Sequence, residues 1–249
     1  MRKNHLLVAV SVCLLVLAGC TASPESSTPP GISEEGVTDV SALVEAHTGV
    51  LQSTSFTVQS SRTMRSEDPE FEATINSTWS IDGTETLRGS VIRNTSVTGE
   101  APDQYLQAPD RTSTWRNGKT TVERTETNGN ISDRRVDFLN TSVRQNRALH
   151  RKTIYELSTR SNATVERVSR EGTEWYRVDA ELNDTTITSN ATMTLFVDPN
   201  GTVREVRTAK TVRYRSGPRR IIQRVQISDI GTTTVERPAW AAEILNESQ

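Results

Sequence analysis

Cysteine is nearly missing from this chain of 249 residues: there are two, Cys13 and Cys20, and both lie in the first twenty positions. If the leading segment is removed and Cys20 is chemically occupied, no free thiol remains, which excludes disulfide frameworks, thiol catalysis and cysteine-ligated metal together. Histidine is scarce as well. Beyond the first twenty residues only His47 and His150 remain, each alone in a stretch of helical character. Two isolated imidazoles do not make a metal site, which needs three or four converging ligands. Glycine-rich phosphate loops, nucleophile elbows and His-Glu-x-x-His motifs are absent. The chain is therefore expected to be neither an enzyme nor the carrier of a cofactor or metal, an extracellular hydrolase being only the third reading. An excess of positive charge is lacking too. Of the 29 basic residues, removal of Arg2 and Lys3 leaves 27 against 31 acidic ones, a formal charge of −4, which excludes nucleic-acid binding by bulk charge. Aromatic residues make up only 5% of the chain, so any core must be built from few large side chains.

The one long apolar run sits at the very start. Arg2 and Lys3 precede Leu6 to Leu17, and Gly19 precedes Cys20, so residues 1–19 read as a secretory signal peptide. The run is roughly a dozen residues, short of the ~20 that a membrane-spanning helix requires. Leu17-Ala18-Gly19-Cys20 resembles the lipobox of bacterial and archaeal lipoproteins, in which the signal is cut before the cysteine and the thiol carries lipid. The resemblance implies Cys20 as the lipid attachment site, the membrane as its partner, and a location on the extracytoplasmic face of the cell membrane. One acyl chain holds a protein only marginally, so a two-chain lipid is implied. Residues 20–36, "CTASPESSTPPGISEEG", then read as the lipidated cysteine and a disordered Ser/Pro-rich tether.

Asn-X-Ser/Thr occurs at Asn76, Asn94, Asn130, Asn140, Asn162, Asn183, Asn190, Asn200 and Asn246, nine of the twelve asparagines beyond residue 20. Such enrichment fits N-glycosylation of an exported surface. The alternative is local: Asn, Ser and Thr share turns and polar strand faces, and Asn200 lies in the turn Asp198-Pro199-Asn200-Gly201.

From Thr38 the pattern becomes periodic. Val40, Leu43, Val44, His47, Val50 and Leu51 recur at helical spacing, with Thr38 or Asp39 as N-cap. Runs alternating by twos follow: Phe56 and Val58, Phe71 to Ile75, Leu87 to Arg93, and a hairpin around Asn117-Gly118. Asp137 to Leu157 reads as one or two helical segments with Phe138, Leu149, Ile154 and Leu157 inward. Alternation then resumes through "EWYRVDAEL", "ATMTLFVD", "TVREVRTAKTVRYR" and "RRIIQRVQI", before a short terminal helix over Pro238 to Leu245 that packs Trp240 on the sheet. The expected fold is a single α+β domain over residues 37–249, monomeric, with a curved antiparallel sheet, a half-open barrel of about nine to ten strands. An N-terminal helix and a central helical segment cover it.

"GVTDVSALVEAHTGVLQSTSFTVQSS" followed by "WRNGKTTVER" resembles the opening of a haloarchaeal lipoprotein family of uncharacterised function. More loosely, the order of helix, strand meander, central helical insertion and further hairpins resembles the half-barrels of bacterial lipoprotein carriers and mycobacterial lipid-binding lipoproteins. That likeness implies a concave apolar surface for a lipid or another apolar ligand, with Trp79, Trp115, Trp175 and Phe196 as its candidate lining. Core packing is the competing role for the same residues, and for Trp240. Arg204, Arg207, Arg213, Arg215, Arg219, Arg220 and Arg224 concentrate positive charge in adjacent strands. They read either as a stripe for lipid phosphates or acidic surface glycans, or as a solvated face with cross-strand partners such as Glu205. The first expectation is thus a lipid-anchored binding module for a lipid or apolar ligand. The alternative is a structural envelope lipoprotein that contacts glycans or proteins without a cavity.

Overall fold

The computed structural model describes residues 28–67, 70–82, 88–118, 120–137, 149–170 and 172–247. The signal, Cys20, Phe138 and Asn140 fall outside these residues. The chain turns first at Gly31, whose φ of 78° suits glycine and whose carbonyl accepts the N–H groups of Thr38 and Asp39 at 3.0 and 3.2 Å. A Cβ there would stand 2.0 Å from the Asp39 carbonyl oxygen. Between these contacts β1 (Ile32–Ser33) pairs with β2 (Gly36–Val37), burying Ile32 and Val37. The expected tether therefore ends before residue 36: from Pro29 onward the segment packs against the domain, because its few apolar side chains meet the core.

Helix α1 (Val40–Gln52) begins at Asp39, whose Oδ1 accepts the N–H groups of Ser41 and Ala42 at 2.8 and 3.1 Å, a cap that contributes about 1 kcal/mol. Val40, Leu43, Val44, His47, Thr48 and Leu51 are its buried residues, the stripe that a 3.6-residue period places on one side.

The chain then forms one antiparallel sheet of eleven strands. A first meander contains β3 (Phe56–Glu67), β4 (Glu70–Asp82), β5 (Arg88–Gly99), β6 (Arg111–Asn117), β7 (Thr120–Thr127) and β8 (Asn130–Asp137). A second contains β9 (Arg160–Arg170), β10 (Thr173–Leu182), β11 (Thr188–Val197), β12 (Val203–Tyr214) and β13 (Gly217–Ser228). The last strand joins the first: β13 pairs with β3, with Ile227 opposite Val58 and Ile221 opposite Met64. The edges, β8 and β9, do not pair with each other, so the sheet is open.

Eleven strands exceed the expected nine to ten because β8, "NISDRRVD", has little apolar content and carries no alternation of its own. Ion pairs hold it instead: Asp133 accepts from Arg124, and Arg134 donates to Glu123. Of the segment Asp137 to Leu157, read as helical, residues 138–148 lie outside the described residues. Asp137 closes β8, and helical residues appear from α3 (Arg151–Tyr155) through the 3-10 turn Glu156–Thr159. Two further helices lie among the described residues, α2 (Asp103–Leu106) and α4 (Ala239–Glu247).

On one face of the sheet, Leu43, Val44 and Leu51 of α1, together with Leu149, Ile154 and Leu157, pack on Phe56, Val58, Tyr176, Val178, Leu195 and Val225, all 0–1% exposed. At the far end of the same face Met64, Phe71, Ala73 and Ile221 form a smaller cluster with Ala101 and Tyr105. Among the described residues, the opposite face carries α4, where Trp115, Val122, Ala241 and Ile244 close a third cluster beside Trp240.

Candidate ligand-binding face

Strand alternation and register place a continuous row across the middle of the face opposite α1. Thr194 stands opposite Arg207, Arg207 opposite Arg224, Arg224 opposite Ser61, Ser61 opposite Asn76, and Asn76 opposite Asn94. Neighbouring strands lie about 4.8 Å apart, so the row from Arg207 to Asn94 spans roughly 19 Å. Like charges directly opposite each other on paired strands repel, and the Arg207–Arg224 pair breaks that rule.

Glu205 compensates. It is 3% exposed, and its Oε1 accepts Nε–H from both Arg207 (2.5 Å) and Arg224 (2.8 Å), while Oε2 accepts Arg170 Nη1–H at 3.0 Å. Burial pushes its carboxyl upward, but the hydrogen bonds from Arg207, Arg170 and Arg224 outweigh burial and hold it below the usual carboxylate value. Arg170 lies over the Phe196 ring at 3.4 Å and near Trp175 at 5.6 Å, while Arg207 stands 5.3 Å from Phe196. Arg207 and Arg224 each leave 49% of their side-chain surface in water. Both spend Nε on Glu205, and among the described residues their terminal nitrogens are engaged by nothing else. The result is a pair of guanidinium forks aimed by one buried carboxylate.

Beside Arg224 the face dips into a depression of about 380 Å³ lined by Gln59, Ser61, Asn76, Thr78, Asn94 and Gln226. A wider concavity of about 1510 Å³ at the β3–β4 end is lined by Arg65, Arg220, Glu67, Glu70, Glu72 and Glu100 with Phe71 and Pro218, a mixed-charge wall.

The candidate aromatic lining is split between the faces. Trp79 packs against the main core on the α1 side and donates Nε1–H to Ser77 Oγ at 3.3 Å. Trp115 lies on the other face under α4. Trp175 and Phe196 share that face but sit beneath the arginines. The four do not surround one cavity, because Trp79 pairs with Val91 and Trp115 with Ser90, adjacent residues of β5 that face opposite sides of the sheet. The arginine stripe is divided for the same reason. Arg219, next to Arg220, points to the α1 side, 4% exposed among the rings of Phe71, Tyr105 and Tyr214. Arg204 pairs with Asp198 at 3.8 Å, and Arg220 donates to the Asn190 carbonyl at 3.2 Å. Arg213 and Arg215 are exposed.

Of the sequons, Asn76, Asn94, Asn130, Asn162, Asn183, Asn190, Asn200 and Asn246 are all exposed. In the Asn200 turn, Asp198 Oδ1 accepts the N–H groups of Asn200 and Thr202 at 3.0 Å each. Sequence reasoning did not single out Arg170 or the row Gln59, Ser61, Thr78 and Gln226. In the chain these are ordinary polar positions of alternating strands, and only register brings them together. His47 is wholly buried between backbone groups, its Nε2–H donating to the Leu149 carbonyl at 2.9 Å and its Nδ1 accepting the Val203 N–H at 3.2 Å.

No family model matches the chain, and no curated protein matches it. Among solved structures, it is similar to a LolA superfamily protein from Nitrosomonas europaea at 11% identity, covering 80% of this chain and 94% of that chain with a TM-score of 0.29. A DUF1329 family protein from Desulfovibrio piger is similar at 8% identity, over 83% of this chain and 97% of that chain, with a TM-score of 0.30. Similarity of this size leaves the role to be argued from the chain's own residues.

Proposed function

We propose that this protein is a lipid-anchored, outward-facing binding module, held to the membrane through Cys20, that meets its ligand on the sheet face opposite α1. The observation that supports this reading is the buried Glu205 spent on aligning Arg207 and Arg224, two exposed cations that strand pairing sets directly opposite each other against their mutual repulsion. A purely structural face would relieve that repulsion with a neutral residue on one strand. Exposure of all eight described sequon asparagines agrees with a glycosylated outer surface. The test has two arms. Cys20→Ser is expected to release protein into the medium or stall its processing, and unchanged membrane retention of correctly cleaved protein contradicts the anchor. Arg224→Glu is expected to weaken binding of the purified protein to envelope fragments from its own cells at least tenfold, whereas Tyr155→Glu, exposed on α3, leaves binding unchanged. Equal effects of the two contradict the open-face reading.

A second reading places a lipid or other apolar ligand under the helices of a half-barrel. It is favoured by the partly buried Trp79 and Ile81, which carry the main apolar cluster beyond α1 onto β4. Stoichiometric lipid in a solvent extract of protein purified from its own cells supports this reading; none contradicts it.

A further inference from the structure

The open face joins two chemistries. The terminal nitrogens of Arg207 and Arg224 form planar donor forks whose geometry matches a carboxylate or another oxyanion. Immediately beside them lies the depression of about 380 Å³, within the size range of small-ligand sites. Apart from Arg224 itself and Ser60 and Ser77, whose hydroxyls bond each other at 2.8 Å, its lining offers two hydroxyls, Ser61 and Thr78, and four amides, Gln59, Asn76, Asn94 and Gln226. Among the described residues none of these six side chains takes part in a side-chain hydrogen bond, so each has donors and acceptors to offer. Ile92 adds one apolar contact at the same wall.

A ligand complementary to this arrangement carries an acid at one point and hydroxyl groups along the rest. We propose that Arg207, Arg224 and the adjoining amide- and hydroxyl-lined trough bind an acidic saccharide, its carboxylate on the arginines and its hydroxyls on Ser61, Asn76, Thr78 and Gln226. The proposal rests on the open-face reading above and names its ligand class. An acidic peptide fits less well. The trough lies mid-sheet, where β3, β4, β5 and β13 are all paired on both sides, so no free strand edge is present for backbone augmentation. Six neutral polar groups also give a run of carboxylates nothing to pair with.

The trough has a consequence for modification. Asn76 and Asn94 are directly opposed sequon asparagines on its floor. A sugar attached to either would fill the space the ligand needs, so both remain bare in the native protein even where other sequons are occupied.

The experiment titrates full-length protein, made in a host that does not glycosylate it, with polygalacturonate, neutral dextran and polyglutamate of matched length. Polygalacturonate is expected to bind with an affinity that falls as salt rises. Dextran should show no binding, and polyglutamate should bind at least tenfold more weakly. Arg207→Gln combined with Arg224→Gln should cost at least tenfold, with folding checked by thermal melting. Thr78→Val with Gln226→Leu, which leaves every charge in place, should cost about three- to tenfold. Equal binding of polyglutamate and polygalacturonate, or no effect of the neutral trough variant, overturns the saccharide assignment, as does glycopeptide mapping that finds either Asn76 or Asn94 occupied. If polygalacturonate fails to bind while Arg224→Glu still abolishes envelope binding, the open face stands and the ligand class falls. If Arg224→Glu has no effect on the envelope either, the open-face reading falls with it.

Discussion

Glu205→Gln is expected to lower the unfolding free energy by about 3 kcal/mol, the low end of the cost of removing one partner from a buried ion pair. The low end applies because Arg207 and Arg224 keep 49% of their side-chain surface in water and are partly solvated without the carboxylate. What remains after the substitution is three guanidiniums around a neutral amide, with Arg207 and Arg224 directly opposed across β12 and β13. Urea denaturation at neutral pH measures the loss. A second substitution, Arg224→Gln, in the Glu205→Gln background should restore part of it, because the repulsion then has one fewer member. The acid dependence has a definite sign. The carboxyl is held below its ordinary value in the folded state, so its contribution is complete above the usual carboxylate range and is lost only as pH falls through the depressed folded value. A Glu205→Gln variant as stable as the parent would show that the arginines are held apart by water alone.

The stability of this site and its proposed use pull in different directions. A ligand anion on Arg207 and Arg224 supplies negative charge that Glu205 shares among three arginines, so binding and folding are linked at one carboxylate. Ligand should therefore protect Glu205→Gln more than it protects the parent chain.

Much of this architecture can be read along the chain. The spacing of Val40, Leu43, Val44, His47 and Leu51 marks α1 to within two residues, and Asp39 caps it. Asn117-Gly118 marks the β6–β7 turn, where Asn117 stands opposite Thr120. Short turns imply antiparallel neighbours, and each meander follows from them. The chain does not show that β13 returns to pair with β3, because that contact joins segments more than 150 residues apart and no local turn specifies it. β8 escaped notice because its pairing is written in charge, Arg124 with Asp133 and Glu123 with Arg134, rather than in apolar alternation. The candidate site failed in a more instructive way. The separation of Trp79 from Trp115 depends on the register of β4, β5 and β6, whereas parity alone separates Arg219 from Arg220 and could have been applied to the sequence. The irregularity in β12 pairing between Phe196 and Val197 could not: it sets Val203 opposite Val197 and Glu205 opposite Phe196, leaving Arg204 without a partner residue. Pro29 to Val37 defeated composition because a polar segment needs only Ile32 and Val37 to pack, and Gly31 to turn, to become part of the domain.

Acidification should weaken the fold through His47, well above the pH at which carboxylates respond. The ring is wholly buried and bridges three segments: α1, Leu149 two residues ahead of α3, and the start of β12. Its Nδ1 accepts the Val203 N–H, so the folded protein needs the neutral ring with its proton on Nε2. Desolvation lowers its pKa from 6.5 to about 4, against a smaller upward pull from the Leu149 carbonyl. Because the folded value lies below the unfolded one, stability from this residue is complete above pH 6.5 and is lost as pH falls from there toward 4. A shift of that size corresponds to roughly 3 kcal/mol. His150, half-buried and also lowered to about 4 by burial and by the charge of His47, faces the same region and adds to the slope. The two titrate as a coupled pair. Chemical denaturation at a series of pH values between 7 and 4 should show this decline, and His47→Gln should flatten it. The variant should also be less stable at pH 7, because a flexible side chain with both polar atoms on one terminal carbon cannot hold both the Leu149 carbonyl and the Val203 N–H in the geometry of the rigid ring. An unchanged slope in His47→Gln would assign the acid response to other groups and remove His47 as the link between helix and sheet.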